Sequence, residues 1–381
     1  MQFVDTTLFF SPTSGGVKRY LTAKHDWLAA HTHHRHTILV PGPRSQLLPG
    51  GISTIAGVTL PFTFNYRLPL SPRAWIRMLS ALEPDLIEVG DVFHPAWCAA
   101  HVARSRNVPL VAFFHSNLAQ VLARRFGAGV ERAITRYVRQ VYARCDLVLA
   151  PSRLMRAYLD ELGVARTAYQ PLGVDTEVFS PARRTLDLRR ELELPDNARL
   201  LVYAGRFSEE KNLPILRAAL ARLGKPYHLL LIGGGRARRP AHNVTVVPYR
   251  RDSVELARWL ASADALVHAG SSETFGLVII EAMACGRPVV GVRAGAVPEL
   301  VAQQVGELAE PDSAASMAEA IGRLFERDLE CMGRAARAHV VQRFTWSQVL
   351  RTQLANYGSV LGSAREAGSA GAAMELDPQG R

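Results

Sequence analysis

Short apolar runs separated by longer amphipathic stretches recur along the whole chain. The runs lie at residues 3–10, 37–40, 86–89, 110–114, 147–150, 200–204, 229–232, 244–247, 265–267 and 289–292. Apolar runs of this length, bounded by Gly, Pro or polar residues, predict buried strands. Between many of these runs, apolar residues recur at the spacing of a helix face, as at residues 17–30. Strands that alternate with helices predict an α/β protein with doubly wound parallel sheets.

The length of the chain and one linker-like segment divide this pattern into two domains. The chain has 381 residues, which favours two cores over one. Residues 171–181 are rich in Pro and Gly, as linkers often are. The Ala/Gly/Ser-rich residues 362–381 predict a disordered tail.

Composition excludes several classes of protein. The chain is 48% apolar and 21% charged, as globular proteins are. No run of 18 apolar residues predicts a transmembrane helix, and the N-terminus lacks the charged and small-residue pattern of a signal peptide. Four scattered cysteines in apolar contexts (Cys98, Cys145, Cys285 and Cys331) predict reduced core thiols. We therefore expect a cytoplasmic protein.

Positive charge is concentrated in the first half of the chain. The net charge is +11, and residues 1–172 hold 19 Lys/Arg against 10 Asp/Glu, while the remainder holds 26 against 24. Arg132, Arg136 and Arg139 fall on one face of a predicted helix. This face is either simply solvated or meets an anionic partner, such as a membrane surface. The sequence leaves both interpretations open.

The stretch at residues 264–299 carries the most informative chemistry. It predicts a strand, a polar loop, a helix ended by Gly286 and Pro288, and another strand. Glu273 lies in the loop, and Glu281 follows eight residues later in an apolar helix surface, where a carboxylate needs a partner or ligand. The backbone amides of Phe275, Gly276 and Leu277 at the helix N-terminus offer an anion site.

The string SSETFGLVIIEAMACGRPVV around these glutamates resembles family 4 of the retaining glycosyltransferases, which have the GT-B fold. The resemblance covers about residues 1–361, and it implies a first domain at residues 1–172, a second at 173–345 and a terminal helix at 346–361. It implies two Rossmann-like domains facing a cleft, with the nucleotide-sugar donor on the second domain, the acceptor on the first, and a terminal helix packed back on the first. It also implies that Glu273 holds the donor sugar and Glu281 the ribose.

Five further residues complete the predicted site. Arg206 and Lys211 follow a predicted strand and suit a diphosphate, which Arg binds bidentately and Lys as a point charge. The family has the same G-R-x4-K pattern. Gly15 and Gly16 lie between a strand and a helix, where amides approach phosphates closely. His115 follows a strand in Phe-His-Ser, and the resemblance places it beside the reacting sugar.

We expect no catalytic metal and no cofactor. The sequence contains no D-x-D, and Arg206 and Lys211 carry the charge needed to neutralise a diphosphate. The histidines at positions 31, 33, 34 and 36 have no acidic or Cys partner nearby, so we interpret them as structural. The Ser-Gly-Gly-Val-Lys-Arg-Tyr start resembles bacterial mannosyltransferases of the lipid and cell-envelope type. That resemblance favours GDP-mannose, with a UDP-sugar next.

Other functions remain as alternatives. A UDP-sugar epimerase of GT-B fold, or a glycosyltransferase acting on a soluble saccharide, has the same expected architecture. An oxidoreductase is disfavoured because no dinucleotide fingerprint occurs. A nucleic-acid-binding module explains the charge but leaves Glu273 and Glu281 unused, so we expect no nucleic-acid partner. The loop starting Pro248-Tyr249-Arg250 lies where the family's base-facing loop is expected and carries no Gly.

Overall fold

The computed structural model describes residues 1–10, 15–59, 66–185, 187–234, 242–248 and 252–375. The chain divides into two compact units. Unit 1 comprises Met1–Pro171 and Val349–Arg381, and unit 2 comprises Leu172–Gln348. Phe62, Phe64, Gly235, Tyr249, Arg250 and the last six residues of the expected tail lie outside the described residues.

Unit 1 is built on a parallel sheet of the doubly wound type. Its strands are β1 (Gln2–Thr6), β2 (Arg35–Gly42), β3 (Ile52–Ala56), β4 (Val58–Thr59), β5 (Arg67–Leu68), β6 (Leu86–Val89), β7 (Leu110–Phe113), β8 (Leu147–Ala150) and β9 (Thr167–Tyr169). Its helices include α1 (Gly16–His31), α2 (Pro72–Ala81), α3 (His94–Arg106), α4 (Leu118–Phe126), α5 (Ala128–Tyr142) and α6 (Arg153–Glu161). The seven-stranded sheet has the order β3-β2-β1-β6-β7-β8-β9, and β4 and β5 form an antiparallel pair.

Unit 2 repeats this architecture. Its strands are β10 (Arg199–Ala204), β11 (Tyr227–Gly233), β12 (Val244–Pro248), β13 (Ala265–Val267), β14 (Val289–Val292) and β15 (Gly306–Ala309). Its helices are α7 (Asp187–Glu191), α8 (Leu213–Leu223), α9 (Ser253–Ser262), α10 (Leu277–Ala284), α11 (Val297–Leu300), α12 (Ala314–Phe325) and α13 (Leu329–Arg343). The six parallel strands have the order β12-β11-β10-β13-β14-β15, which is the dinucleotide-fold order 3-2-1-4-5-6.

A parallel strand that is covered on both faces of its sheet has apolar residues at nearly every position. This explains the short continuous apolar runs in the sequence. Every residue of β6, β7 and β8 is buried, as is every residue of β13 and β14. The strand order reverses beside β1 and β6 in unit 1 and beside β10 and β13 in unit 2. In doubly wound sheets, ligands bind at the carboxyl ends of the strands at such reversal points.

The last helix, α14 (Trp346–Glu375), is attached to unit 1 by a cluster of buried charges. Lys24 on α1 donates to Asp5 at 2.7 and 2.8 Å and lies 3.3 Å from Glu88. Tyr357 on α14 donates to Glu88 and accepts from Lys24. Burial alone would raise the pKa of Asp5, but Lys24 and His36 lower it to about 2. Removing one partner from such a buried group costs about 3–5 kcal/mol.

The fold class predicted from the sequence is confirmed, and several element boundaries differ. The opening strand ends at Thr6 rather than at residue 10. The predicted helix that carries Arg132, Arg136 and Arg139 is α5, and Gly127, with φ +81°, separates it from α4. The terminal helix continues to Glu375, beyond the expected end at Leu361, so described residues of the expected disordered tail are helical. Alanine-rich sequence sustains a helix well.

Two predictions about composition can also be compared with the structure. Cys98 and Cys285 are buried, as expected, whereas Cys331 is exposed on α13, so the prediction of four core thiols was wrong for that residue. In the described part of the chain, no helix is both long and apolar enough to cross a membrane.

Candidate active site

The two cations predicted to bind phosphate follow β10 in unit 2. Gly205 turns the chain at φ +155°. A Cβ on Gly233 would come within 1.9 Å of the Gly205 carbonyl oxygen. Only glycine fits this close approach, which holds the loop after β10 against the end of β11. Arg206 is exposed, and its guanidinium makes no ion pair with any described residue. Lys211 ends the 3-10 turn Glu209–Lys211 directly before α8.

Lys211 is bound to Glu273 rather than exposed to solvent. Its ammonium donates to Glu273 Oε1, and the two side chains are 20% and 14% exposed. Nε2 of His268 lies 2.9 Å from the same oxygen. Burial alone would raise the pKa of Glu273, but the charge of Lys211 and the hydrogen bond from His268 hold that pKa well below its usual range. Glu273 is therefore an anion at neutral pH.

Close backbone contacts fix the loop that carries Glu273. The carbonyl oxygen of Glu273 accepts from the Ala296 N–H at 2.9 Å. Gly295 has φ +56°, and a Cβ there would lie 2.7 Å from that same oxygen. A Cβ on Gly270 would lie 2.8 Å from Cε1 of His268 and 3.2 Å from the carbonyl oxygen of Glu210. Glycine at positions 270 and 295 therefore lets the segments that carry Glu210 and Ala296 pack closely against this loop.

The helix after this loop begins where the sequence predicts. Gly276 is the N-cap of α10, with φ +103°, and no side chain caps the helix. The first-turn amides of an α-helix have no partner within the helix, so Leu277 belongs to a possible anion site. Phe275 is 3% exposed and packs edge-on against Phe344, so its side chain is part of the core. Glu281 is 2% exposed on the same helix.

In unit 1, the predicted glycines begin the helix after β1, and the predicted histidine follows β7. Gly15 is the N-cap of α1 and Gly16 is its first residue. His115 follows β7 and stacks on Phe113 with ring centroids 4.3 Å apart. Tyr20 lies edge-on to it at 5.2 Å. Burial, with a smaller effect of Lys24, lowers the pKa of His115 to about 3. The imidazole is therefore neutral near pH 7.

The basic face predicted on α5 is exposed. Arg132, Arg136 and Arg139 all lie in solvent, while Val138 and Val141 on the other side of the helix are buried. The amphipathic character expected from the spacing is therefore present. Exposure alone is equally compatible with a solvated face.

A cavity of about 360 Å³ in unit 2 includes none of the predicted site residues. It lies at the C-terminal end of α10 and is lined in part by Gly286, Arg287 and Arg337. The Arg337 guanidinium donates to the carbonyl oxygens of Thr176, Phe179 and Ala284. Arg337 therefore joins the linker to the end of α10, which is a structural role.

Two residues of the site were missed from the sequence. His268 is the first residue after the buried strand β13. A polar residue at the carboxyl end of a buried parallel strand indicates a site residue, so the sequence contained a signal for it. The Tyr203 hydroxyl donates to the Arg206 carbonyl oxygen at 2.9 Å. Tyr203 lies inside an apolar strand, so nothing in the sequence separates it from an ordinary core aromatic.

Most of the chain matches solved structures that share one fold. Sucrose-phosphate synthase from Thermosynechococcus elongatus superposes with a TM-score of 0.80 at 22% identity, over 95% of this chain and 99% of that one. Together with two doubly wound units joined near residue 172, this likeness defines the GT-B fold of nucleotide-sugar-dependent glycosyltransferases.

Sequence comparison identifies the family. The model described as Glycosyltransferase Family 4 matches residues 14–178, and that of Glycosyl transferases group 1 matches residues 198–327. A GDP-mannose-dependent alpha-(1-6)-phosphatidylinositol dimannoside mannosyltransferase from Mycobacterium tuberculosis is 30% identical, over 96% of this chain and 98% of that protein. A GDP-mannose-dependent alpha-mannosyltransferase from Mycolicibacterium smegmatis is 30% identical, over 93% and 96%. The chain belongs to glycosyltransferase family 4 and is a hexosyltransferase.

Proposed function

We propose that this glycosyltransferase moves a mannosyl group from GDP-mannose to a lipid or cell-envelope glycan acceptor, retains the anomeric configuration and needs no metal ion. The observation that carries the proposal is the placement of Arg206, Lys211 and Glu273 in unit 2. They follow β10 and β13, the adjacent strands at which the strand order reverses. The names of two relatives, both GDP-mannose-dependent, support the choice of donor.

The proposed donor contacts follow from the charges in unit 2. The guanidinium of Arg206 and the ammonium of Lys211 bind the diphosphate and stabilise the negative charge that grows on it as the sugar leaves. Because these two cations neutralise the leaving group, no metal is needed for that role. Glu273 accepts hydrogen bonds from the sugar hydroxyls, and Glu281 accepts from the ribose. The amides of residues 275–277 face the phosphates.

Transfer with retention then proceeds on one face of the sugar. The bond between C1 and the β-phosphate oxygen breaks, and the acceptor hydroxyl oxygen bonds to C1 on the same face. The departing phosphate takes the proton of that hydroxyl. His115 is neutral because burial lowers its pKa to about 3. It therefore acts as a polar group beside the reacting sugar, with Gly15 and Gly16 at the start of α1 facing the donor phosphates.

The acceptor class is supported by the charge of unit 1. The exposed arginines of α5 form a basic face, and each cation near an anionic bilayer contributes about 1 kcal/mol. We propose that this face holds the enzyme reversibly on the cytoplasmic surface of a membrane that carries the acceptor.

The test is a transfer assay with the full chain. Purified protein is incubated with radiolabelled GDP-mannose or UDP-glucose, with either a bacterial phospholipid extract or a soluble mannoside as acceptor. We expect label from GDP-mannose in the lipid fraction, and loss of that label with Glu273→Gln. Transfer from UDP-glucose alone would overturn the donor, and transfer to the soluble mannoside alone would overturn the acceptor. Epimerised sugar nucleotide formed without any acceptor would indicate the epimerase instead.

A further inference from the structure

The carboxylate of Glu273 is held at one oxygen by two donors of different mobility. Lys211 and His268 both bind Oε1. Within the described residues, Oε2 has no hydrogen-bond partner. Lys211 reaches Oε1 through a flexible four-carbon stem, and its side chain is 20% exposed. The His268 side chain is only 2% exposed.

Hydrogen bonds hold both the ring and the backbone of His268. Its Nδ1 accepts the Gly270 N–H at 3.2 Å, and its backbone N–H donates to the Val290 carbonyl oxygen at 2.8 Å. Because Nδ1 accepts, the proton of the neutral ring is on Nε2, which faces Glu273. The ring also lies 6.1 Å from that of Tyr203. The side-chain position of His268 is therefore set before any ligand binds.

The proposed donor site makes competing demands on Lys211. As a diphosphate-binding cation it must turn toward the phosphates, and in the present structure its ammonium is bound to Glu273. We propose that His268 is the positioning residue of the donor-sugar site. It holds Oε1 of Glu273 when Lys211 moves to the diphosphate, and so keeps Oε2 directed at the sugar hydroxyls. This inference rests on the proposed function of the same site.

The proposal predicts which part of the donor loses affinity. Without the Nε2–H donor, Glu273 rotates or retracts when Lys211 leaves, so contacts to the sugar weaken while contacts to the nucleoside diphosphate persist. A hydrogen bond to a charged group corresponds to about 10- to 100-fold in an equilibrium constant. We therefore expect the ratio of GDP-mannose affinity to GDP affinity to fall by that factor. We expect kcat to fall as well.

Two amide substitutions test the roles of the two ring nitrogens of His268 one at a time. In His268→Asn the side-chain oxygen can still accept the Gly270 N–H, but no donor reaches Glu273. In His268→Gln the amide nitrogen takes the place of Nε2 and restores the donor. A control variant is His228→Asn. His228 is a partly buried histidine at the opposite end of the strands of unit 2, and its Nε2 lies 2.9 Å from the Thr245 hydroxyl oxygen.

The experiment is calorimetric titration of the full chain with GDP and with GDP-mannose, followed by steady-state kinetics. We expect His268→Asn to bind GDP as wild type does, to bind GDP-mannose about 10- to 100-fold more weakly, and to be rescued at least partly by His268→Gln. In a Glu273→Gln background, His268→Asn should have no further effect, because the positioned group is gone.

The outcomes distinguish the inference from the function on which it rests. If wild type binds GDP-mannose and His268→Asn binds it equally well, the positioning role is overturned and the proposed function stands. If His268→Asn weakens GDP and GDP-mannose alike, or if its effect persists in Glu273→Gln, His268 acts only through local structure and the inference fails. If wild type binds neither GDP-mannose nor UDP-glucose, both proposals are overturned.

Discussion

Replacing Lys211 with Met tests the ion pair between Lys211 and Glu273 at the proposed donor site. Met preserves most of the side-chain volume and removes the charge, so Glu273 keeps only the bond from His268. Breaking a fully buried pair costs about 3–5 kcal/mol, and exposed pairs contribute about 0–1 kcal/mol. These side chains are 20% and 14% exposed, so we expect an intermediate loss of about 1–3 kcal/mol from the free energy of unfolding.

The pH dependence gives this prediction a second readout. The pKa of Glu273 in the folded protein lies below its usual value of 4.5, because Lys211 and His268 outweigh burial. A carboxylate with a lowered folded pKa contributes stability that is present above its unfolded pKa and is lost as the pH falls. The stability difference between wild type and Lys211→Met should therefore be full at pH 7 and shrink below about pH 4.5.

The assay is thermal unfolding at pH 7 and pH 4. For a unit of this size, a loss of 1–3 kcal/mol corresponds to a decrease of about 2–12 °C in Tm. Arg184→Met is the matched control, since its ion pair with Glu330 at 2.9 Å joins side chains that are 45% and 59% exposed. The double variant with Glu273→Gln should regain stability, because no unpaired charge remains. A Tm for Lys211→Met equal to that of the control would refute the reasoning.

Four further outcomes follow from the site. Arg206→Ala should lower turnover by about 10²–10³-fold while leaving Tm unchanged, because the guanidinium is exposed. His115→Gln should lose less stability than wild type between pH 6.5 and pH 4, since a histidine whose folded pKa is about 3 disfavours folding as the unfolded chain takes up protons. Activity should survive EDTA, and loss restored by Mg²⁺ would contradict the proposed phosphate contacts. Anionic vesicles should bind wild type at low salt and release it near about 0.5 M salt, whereas the triple Ala variant at Arg132, Arg136 and Arg139 should bind weakly throughout.

The sequence predicted the elements of this fold better than their boundaries. Buried parallel strands are apolar throughout, so residues 86–89, 147–150, 265–267 and 289–292 were predicted with their observed limits. Short edge strands such as β9 and β15 were missed, because neither carries a continuous apolar run and all residues of β9 are only partly buried. The break between α4 and α5 depends on a single Gly127, which sequence alone does not distinguish from a tolerated helix glycine.

Buried charges show a different limit. Lys24 lies four residues after Tyr20 and four before Leu28, so it shares their helix face, and all three are buried. The spacing was visible in the sequence, but a lysine is almost always exposed unless it is paired. Its partners Asp5 and Glu88 lie on different strands, 19 and 64 residues away along the chain. Only the folded sheet brings the three charges together.

The proposed donor site combines residues that the sequence predicts with a contact that it does not predict. Glu273 was predicted because a long local string surrounds it, and Arg206 and Lys211 were predicted because they follow a strand. That Lys211 binds Glu273 was not predicted, since the two residues are 62 positions apart and their contact depends on β10 lying beside β13. This contact changes the chemistry expected of both. If Lys211 moves to the diphosphate as we propose, donor affinity includes the free energy of breaking its pair with Glu273, and in the proposed arrangement His268 then holds Glu273 in place.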